Sequence, residues 1–172
     1  MKTTTINLYE VSELSKEAFQ KAYEKWREHL DNPFLQPMLN DECNELLKAE
    51  GVNCTSNHPV CLYSLSYCQG DGLMFEGDFE WNGYSVSIKH TGHYYHSNSK
   101  VIEITDEEGN TVDTDEPYKA FEVIYQSICK NLEKLGYEMI EYEESEAHFI
   151  DDCNTNEWTF EADGTIRNII NQ

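Results

Sequence analysis

The chain has 172 residues and carries 33 acidic against 12 basic side chains, a formal net charge of −21. A negative field of that size repels phosphate, so it counts against direct DNA, RNA or anionic-membrane binding and favours basic protein partners. Aromatic residues make up 12% of the chain, which is too rich for a disordered acidic tail, and the length suits one folded domain, 1–172.

The opening segment Thr4 to Tyr9 is expected as a short strand. Ser15 then caps a helix, with Leu14 before the cap and Phe19 inside it placed to form a hydrophobic staple. Phe19, Tyr23, Trp26 and Leu30 recur at helical spacing as one apolar stripe, and Asp31-Asn32-Pro33 ends the helix. A second, shorter helix is expected over Asp41 to Ala49, stopping at Gly51.

The middle of the chain is expected to be β. Cys61 to Cys68 forms an apolar run that breaks at Gln69-Gly70-Asp71-Gly72. Leu73, Phe75, Phe79 and Trp81 alternate with Met74, Glu76, Asp78 and Glu80; Asn82-Gly83 is a type I′ turn signal; Tyr84, Val86 and Ile88 alternate back. A two-residue turn sets Trp81 opposite Tyr84, Phe79 opposite Val86, Gly77 opposite Ile88 and Phe75 opposite His90, with Glu76 meeting Lys89 on the other face. Another strand covers Lys100 to Thr105 and runs into a turn at Glu107-Glu108-Gly109-Asn110.

A long helix is expected to start at Asp115-Glu116-Pro117, where acids and proline suit a first turn. Phe121, Ile124, Ile128, Leu132 and Leu135 mark its buried stripe, and Gly136 is read as its end. Glu141 to Asp152 reads as a second acidic helix. The chain closes with a hairpin, Trp158 to Glu161 and Thr165 to Ile169, turned by Asp163-Gly164. The resulting fold is α+β: an antiparallel sheet around a central Asn-Gly hairpin, with three to four helices packed mainly on one face.

Chemistry-bearing patterns are sparse. The chain has no G-x-S-x-G elbow, no P-loop and no H-E-x-x-H, so no catalytic residue and no enzyme is expected. Cys54, His58 and Cys61 with His90, His93 or His96 contain zinc-ligand residue types, but the spacing matches no common zinc module and no metal or cofactor is assigned. The Gly70–Gly72 loop and the His90–His96 segment nevertheless make a small-ligand or metal-binding module the alternative function. No apolar stretch approaches membrane-spanning length, so a cytoplasmic site is expected, with the six cysteines as reduced, mostly buried thiols.

The acids are concentrated late in the chain. Residues 1–100 carry a net of −6 and residues 101–172 a net of −15. Asp106, Glu107, Glu108, Asp113, Asp115 and Glu116 crowd one turn and helix start, and Glu141, Glu143, Glu144, Glu146, Asp151 and Asp152 crowd a second region. These two clusters, with Tyr94 and Tyr95 as apolar anchors, are the candidate partner-binding residues.

Ile6-Asn7-Leu8-Tyr9-Glu10 followed by Glu13-Leu14-Ser15-Lys16-Glu17-Ala18 resembles the start of small acidic proteins common in bacteriophage and prophage genomes. Cys68-Gln69-Gly70-Asp71-Gly72, followed by Phe75 and Gly77, resembles an internal motif of some of them, with Cys68 where that motif often has serine. The resemblance implies action in a bacterial host's cytoplasm. By analogy with small acidic phage proteins, it implies inhibition of a basic nucleic-acid-handling host protein, such as a CRISPR or other defence effector, by an acidic surface that imitates nucleic acid. A second alternative is an antitoxin-like protein that masks one cognate partner.

Overall fold

The computed structural model describes residues 6–56, 58–112 and 115–167. It is an α+β protein whose chain divides into two compact units. The central unit spans 33–139, and the terminal unit joins 1–32 to 140–172.

In the central unit, after helix α1 (Lys16–Arg27) of the terminal unit, α2 (Leu35–Ala49) leads into strands β1 (Val52–Cys54), β2 (Val60–Ser64), β3 (Gly72–Trp81), β4 (Tyr84–His90) and β5 (Lys100–Thr105). The strands are antiparallel in the order β1-β3-β4-β5, and β2 pairs with the first half of β3. Asn82 and Gly83 take φ of 51° and 80°, as the I′ turn requires. The pairing is the expected one over Trp81–Tyr84, Phe79–Val86 and Gly77–Ile88, but the ladder stops there. The Glu76 carboxylate instead accepts the His90 N–H at 3.2 Å, so the expected Phe75–His90 and Glu76–Lys89 pairs do not form. Met74 also departs from the simple alternation. It is fully buried together with Leu73 and Phe75, because this half of β3 is covered on both sides.

Helix α3 runs from Asp115 to Glu143 and does not stop at Gly136. Gly136 is helical, and a Cβ there would lie 2.5 Å from Leu65 Cδ1. The missing side chain therefore serves close packing, where the sequence pattern suggested a cap. The buried face of α3 is Phe121, Tyr125, Ile128, Cys129 and Leu132, with Ile124 and Leu135 only half-buried. Phe121 meets Trp81 edge-on at 5.3 Å, and Tyr125 packs against Phe75 at 4.7 Å while donating to the Phe75 carbonyl. Helix α2 begins six residues before the expected start, since Pro37 falls in its first turn, where no backbone donor is needed. It lays Leu39, Cys43 and Leu47 against β1 and β2.

In the terminal unit, a 3-10 turn (Val11–Glu13) precedes α1 (Lys16–Arg27), whose Ser15 cap accepts the Ala18 N–H at 3.2 Å. Helix α1 ends at Arg27, four residues before Asp31. Residues 6–8 are irregular, and only Tyr9 makes a bridge, to Phe160; the start of the expected first strand lies outside the described residues. Ser145 caps α4 (Glu146–Thr155), so the acidic tail region is a break and a new helix rather than one helix over 141–152. Strands β6 (Thr159–Phe160) and β7 (Ile166–Arg167) form the closing hairpin, whose expected continuation to Ile169 lies outside the described residues.

Phe149 organises this unit's core. Its ring meets Trp26 at 5.3 Å, Phe19 at 5.5 Å, Tyr23 at 5.8 Å and Phe160 at 6.3 Å. Leu14 and Phe19 of the expected staple both pack on this cluster. All six cysteines are free, and Cys43, Cys61, Cys129 and Cys153 are buried. A hydrogen bond with Cys61, reinforced by burial, pushes the Cys43 thiol far up. Burial pushes Cys129 and Cys153 up to about 12. These thiols stay protonated and behave as small apolar side chains.

Candidate protein-binding face

The first acidic cluster forms the connection from β5 to α3, in the central unit. The Asp106 carboxylate folds back onto the Glu108 and Asn110 N–H groups at 3.0 and 2.8 Å and onto the Asn110 side chain. Hydrogen bonds from Asn110 hold its carboxyl below the usual carboxylate range. Glu107 and Glu108 stay exposed beside it, as does Glu116 in the first turn of α3. Asp115 is the first residue of α3, and Asp113 lies outside the described residues.

The second cluster belongs to the terminal unit, and part of it is engaged. Arg27 donates through Nε and a terminal nitrogen to Glu144 Oε2, at 3.1 and 2.7 Å. His148 Nδ1 lies 2.9 Å from the Glu143 carbonyl and 3.3 Å from its carboxylate. Glu141 and Glu146 remain exposed, the latter in the first turn of α4, where free backbone N–H groups favour an acid.

Tyr94 and Tyr95 lie in the loop between β4 and β5. Tyr94 is 53% exposed, while Tyr95 is half-buried against His90, with ring centroids 5.2 Å apart. The structure also brings this segment onto the Gly70–Gly72 loop. A Cβ on Gly72 would lie 2.7 Å from His96 Nδ1, and one on Gly70 would lie 3.0 Å from the Tyr94 ring. The two parts of the alternative ligand module are thus packed together, with the space between them filled. Asp71 points into its own loop, accepting from Ser66 N at 2.7 Å, Cys68 N at 3.1 Å and the Tyr137 hydroxyl at 2.7 Å. Burial opposes its ionisation, but the hydrogen bonds from Tyr137, Cys68 and Ser66 outweigh that and hold its carboxyl well below the usual range. Among the described residues no three His, Cys, Asp or Glu side chains are placed to hold a metal ion.

Sequence reasoning passed over a third acidic group, on the outer face of the sheet. Antiparallel register sets Glu80, Ser85 and Thr105 in one cross-strand row and Asp78, Ser87 and Glu103 in the next. Asp78, Glu80, Ser85 and Glu103 are exposed. An open recess of about 460 Å³ beside the Asn-Gly turn joins Glu80 and Ser85 to Glu107, so the sheet face continues into the first cluster. A second recess, of about 480 Å³, is lined by Glu76, Asp78, Ser87 and Lys89 among others. The alternation of Glu76, Asp78 and Glu80 with the buried residues of the hairpin was the available signal. It marks a polar face, and what it could not supply was Glu103 and Glu107 alongside.

Neighbouring strands lie about 4.8 Å apart and alternate residues about 6.8 Å apart along a strand, so these carboxylates form a flat, open array on rigid backbone. Short serine side chains between them leave the carboxylates sterically open. Comparison with protein-family models, with curated proteins and with solved structures gives no match. No helix among the described residues is long and apolar enough to cross a membrane.

Proposed function

We propose that the chain binds a basic, nucleic-acid-handling protein through the acidic sheet face of its central unit and inhibits it by occupying the place of nucleic acid. The supporting observation is the uncovered group of Asp78, Glu80 and Glu103 on two adjacent cross-strand rows, continued by Glu107. Carboxylates on a rigid sheet need no ordering before they meet Lys and Arg side chains, so association is fast and electrostatically steered. The phage resemblance makes a bacterial defence effector the preferred target class, with the half-exposed Tyr94 of the β4–β5 loop as a separate apolar anchor.

The test is affinity capture from bacterial lysate at low and high salt, followed by binding measurements on the captured protein. Reversing Asp78, Glu80 and Glu103 together to lysine is expected to weaken binding by at least about tenfold, equivalent to about 1.4 kcal/mol. Reversing the exposed Glu24 and Glu28 near α1 is the control. Equal losses from both sets would refute a localised face, and a captured partner insensitive to salt would refute the electrostatic mechanism.

A further inference from the structure

We propose that a second site, a tryptophan-lined recess in the terminal unit, receives the guanidinium of an arginine side chain from a basic polypeptide. The recess measures about 480 Å³ and its walls include Trp26, Leu30, Trp158 and Ile166, with Asp31 and Asp152 as its carboxylates. It stands on the terminal unit's geometry alone and does not rest on the reading of the sheet face.

Each component is held ready. Asp152 Oδ2 accepts the Trp26 indole N–H at 3.1 Å, and its Oδ1 lies 3.7 Å from His148 Nε2. The Asp152 side chain is still 33% exposed, so lone pairs remain accessible on an already oriented carboxylate. Asp31 is exposed and engages no hydrogen bond or ion pair among the described residues. Trp158 is presented by the end of α4. Its N–H bonds the Cys153 carbonyl at 2.9 Å and the Glu157 N–H bonds the Asn154 carbonyl, with Glu157 in the left-handed region at φ 51°. This is a Schellman stop with a glutamate in the position glycine usually takes, and it places an indole, half-buried, at the recess.

Trp26 is buried against Tyr23 and Phe149 and contributes its indole N–H to Asp152, so the aromatic surface open to a ligand is that of the half-buried Trp158. An indole beside carboxylates selects a flat cation. A guanidinium stacks on aromatic rings and offers paired N–H donors to a carboxylate, whereas an ammonium is a compact, strongly hydrated charge that does neither as well. Lys25 and His29 also line the recess. Lys25 sets one positive charge against two negative ones, which leaves the site net negative and excludes anionic ligands in favour of cations.

The probe is acetyl-Gly-Arg-Gly-amide, titrated into the ¹⁵N-labelled full chain beside its lysine and citrulline counterparts. The three tryptophans, Trp26, Trp81 and Trp158, report through their indole N–H resonances. The Trp26 and Trp158 signals are expected to shift and saturate at a dissociation constant on the order of 1 mM, with Trp81 unmoved. The lysine peptide should bind several-fold more weakly and the citrulline peptide not at all. Asp31→Asn, at an exposed position, should weaken arginine binding several-fold, and Trp158→Leu should abolish it. The sheet-face triple reversal should leave it unchanged, so the two sites fail or stand separately. Static Trp26 and Trp158 resonances, or equal shifts from citrulline, would overturn the proposal.

Discussion

Replacing Gly164 by alanine should damage the terminal unit more than any other glycine-to-alanine change at a turn. Gly164 turns the β6–β7 hairpin at φ 85°, and a Cβ there would lie 2.1 Å from the carbonyl oxygen of Ala18 in α1. Two costs combine. Placing a side chain in the left-handed region costs about 1–2 kcal/mol. Relieving an overlap with backbone, which cannot swing aside as a side-chain tip can, costs about 1–3 kcal/mol more. The stiffer unfolded chain returns about 0.4–1 kcal/mol. The net expectation is a loss of about 1–5 kcal/mol. Gly109 is the matched control, with φ 83° and nothing within 4 Å of its would-be Cβ, so Gly109→Ala incurs only the conformational cost. Its expected loss is about 1 kcal/mol or less. Urea unfolding followed by circular dichroism and by tryptophan fluorescence measures both, and the comparison requires unchanged m-values. Equal losses for the two variants would mean that the hairpin does not press on α1 as described.

Two further outcomes follow from partly buried polar groups. The Lys100 ammonium sits 2.9 Å from Glu122 and 5.1 Å from the centre of the Tyr125 ring, with its side chain only 5% exposed. Glu122→Ala should therefore cost about 2–3 kcal/mol, less than for a fully buried pair because Glu122 itself is partly solvated, while Lys100→Met should cost less than that in a thermal melt. Tyr137→Phe removes one of the donors that keep Asp71 ionised; Tyr137 itself is pushed up to about 12 by burial and by its bond to that carboxylate. Because the folded carboxyl is depressed, its contribution is fully present above the unfolded value of about 3.9 and fades as pH falls through the lower folded value. The Tm difference between wild type and Tyr137→Phe should thus be constant near neutrality and shrink below about pH 4; a gap that widens in acid would contradict the hydrogen-bond assignment.

The parts of the fold legible in the sequence were those where local chemistry and tertiary demand agree. The Asn82-Gly83 turn, the Ser15 cap, β5 over Lys100–Thr105 and the Asp163-Gly164 turn are all local signals, and each is where the pattern put it. The failures have a common cause. Gly136 carries the signature of a helix end, yet its small size answers a neighbour, Leu65, distant in sequence. Tyr125 and Cys129 extend the α3 face marked by Phe121, Ile128 and Leu132, and the Tyr125 hydroxyl is satisfied there by the Phe75 carbonyl, a partner distant in sequence. The acidic site divides in the same way. Counting acids named Glu107, Glu108, Glu116, Glu141 and Glu146, which are exposed, but it could not know that Asp106 caps its own turn or that Arg27 and His148 already hold Glu144 and Glu143. Nor could a count along the chain assemble Asp78, Glu80 and Glu103, which only strand pairing makes neighbours.

The terminal unit is assembled from the two ends of the chain, with all of 33–139 lying between them. During synthesis α1 leaves the ribosome long before Phe149 and Phe160, the side chains that cover its apolar stripe. The central unit has no such wait, since its hairpin closes over two residues. Helix α1 is therefore synthesised with Trp26 and Tyr23 still uncovered, and Glu17, Glu24 and Glu28 intersperse it with the charge that disfavours aggregation of such an exposed stripe. It also follows that cutting either terminal segment away would dissolve the core of both, while the sheet would lose none of its strands.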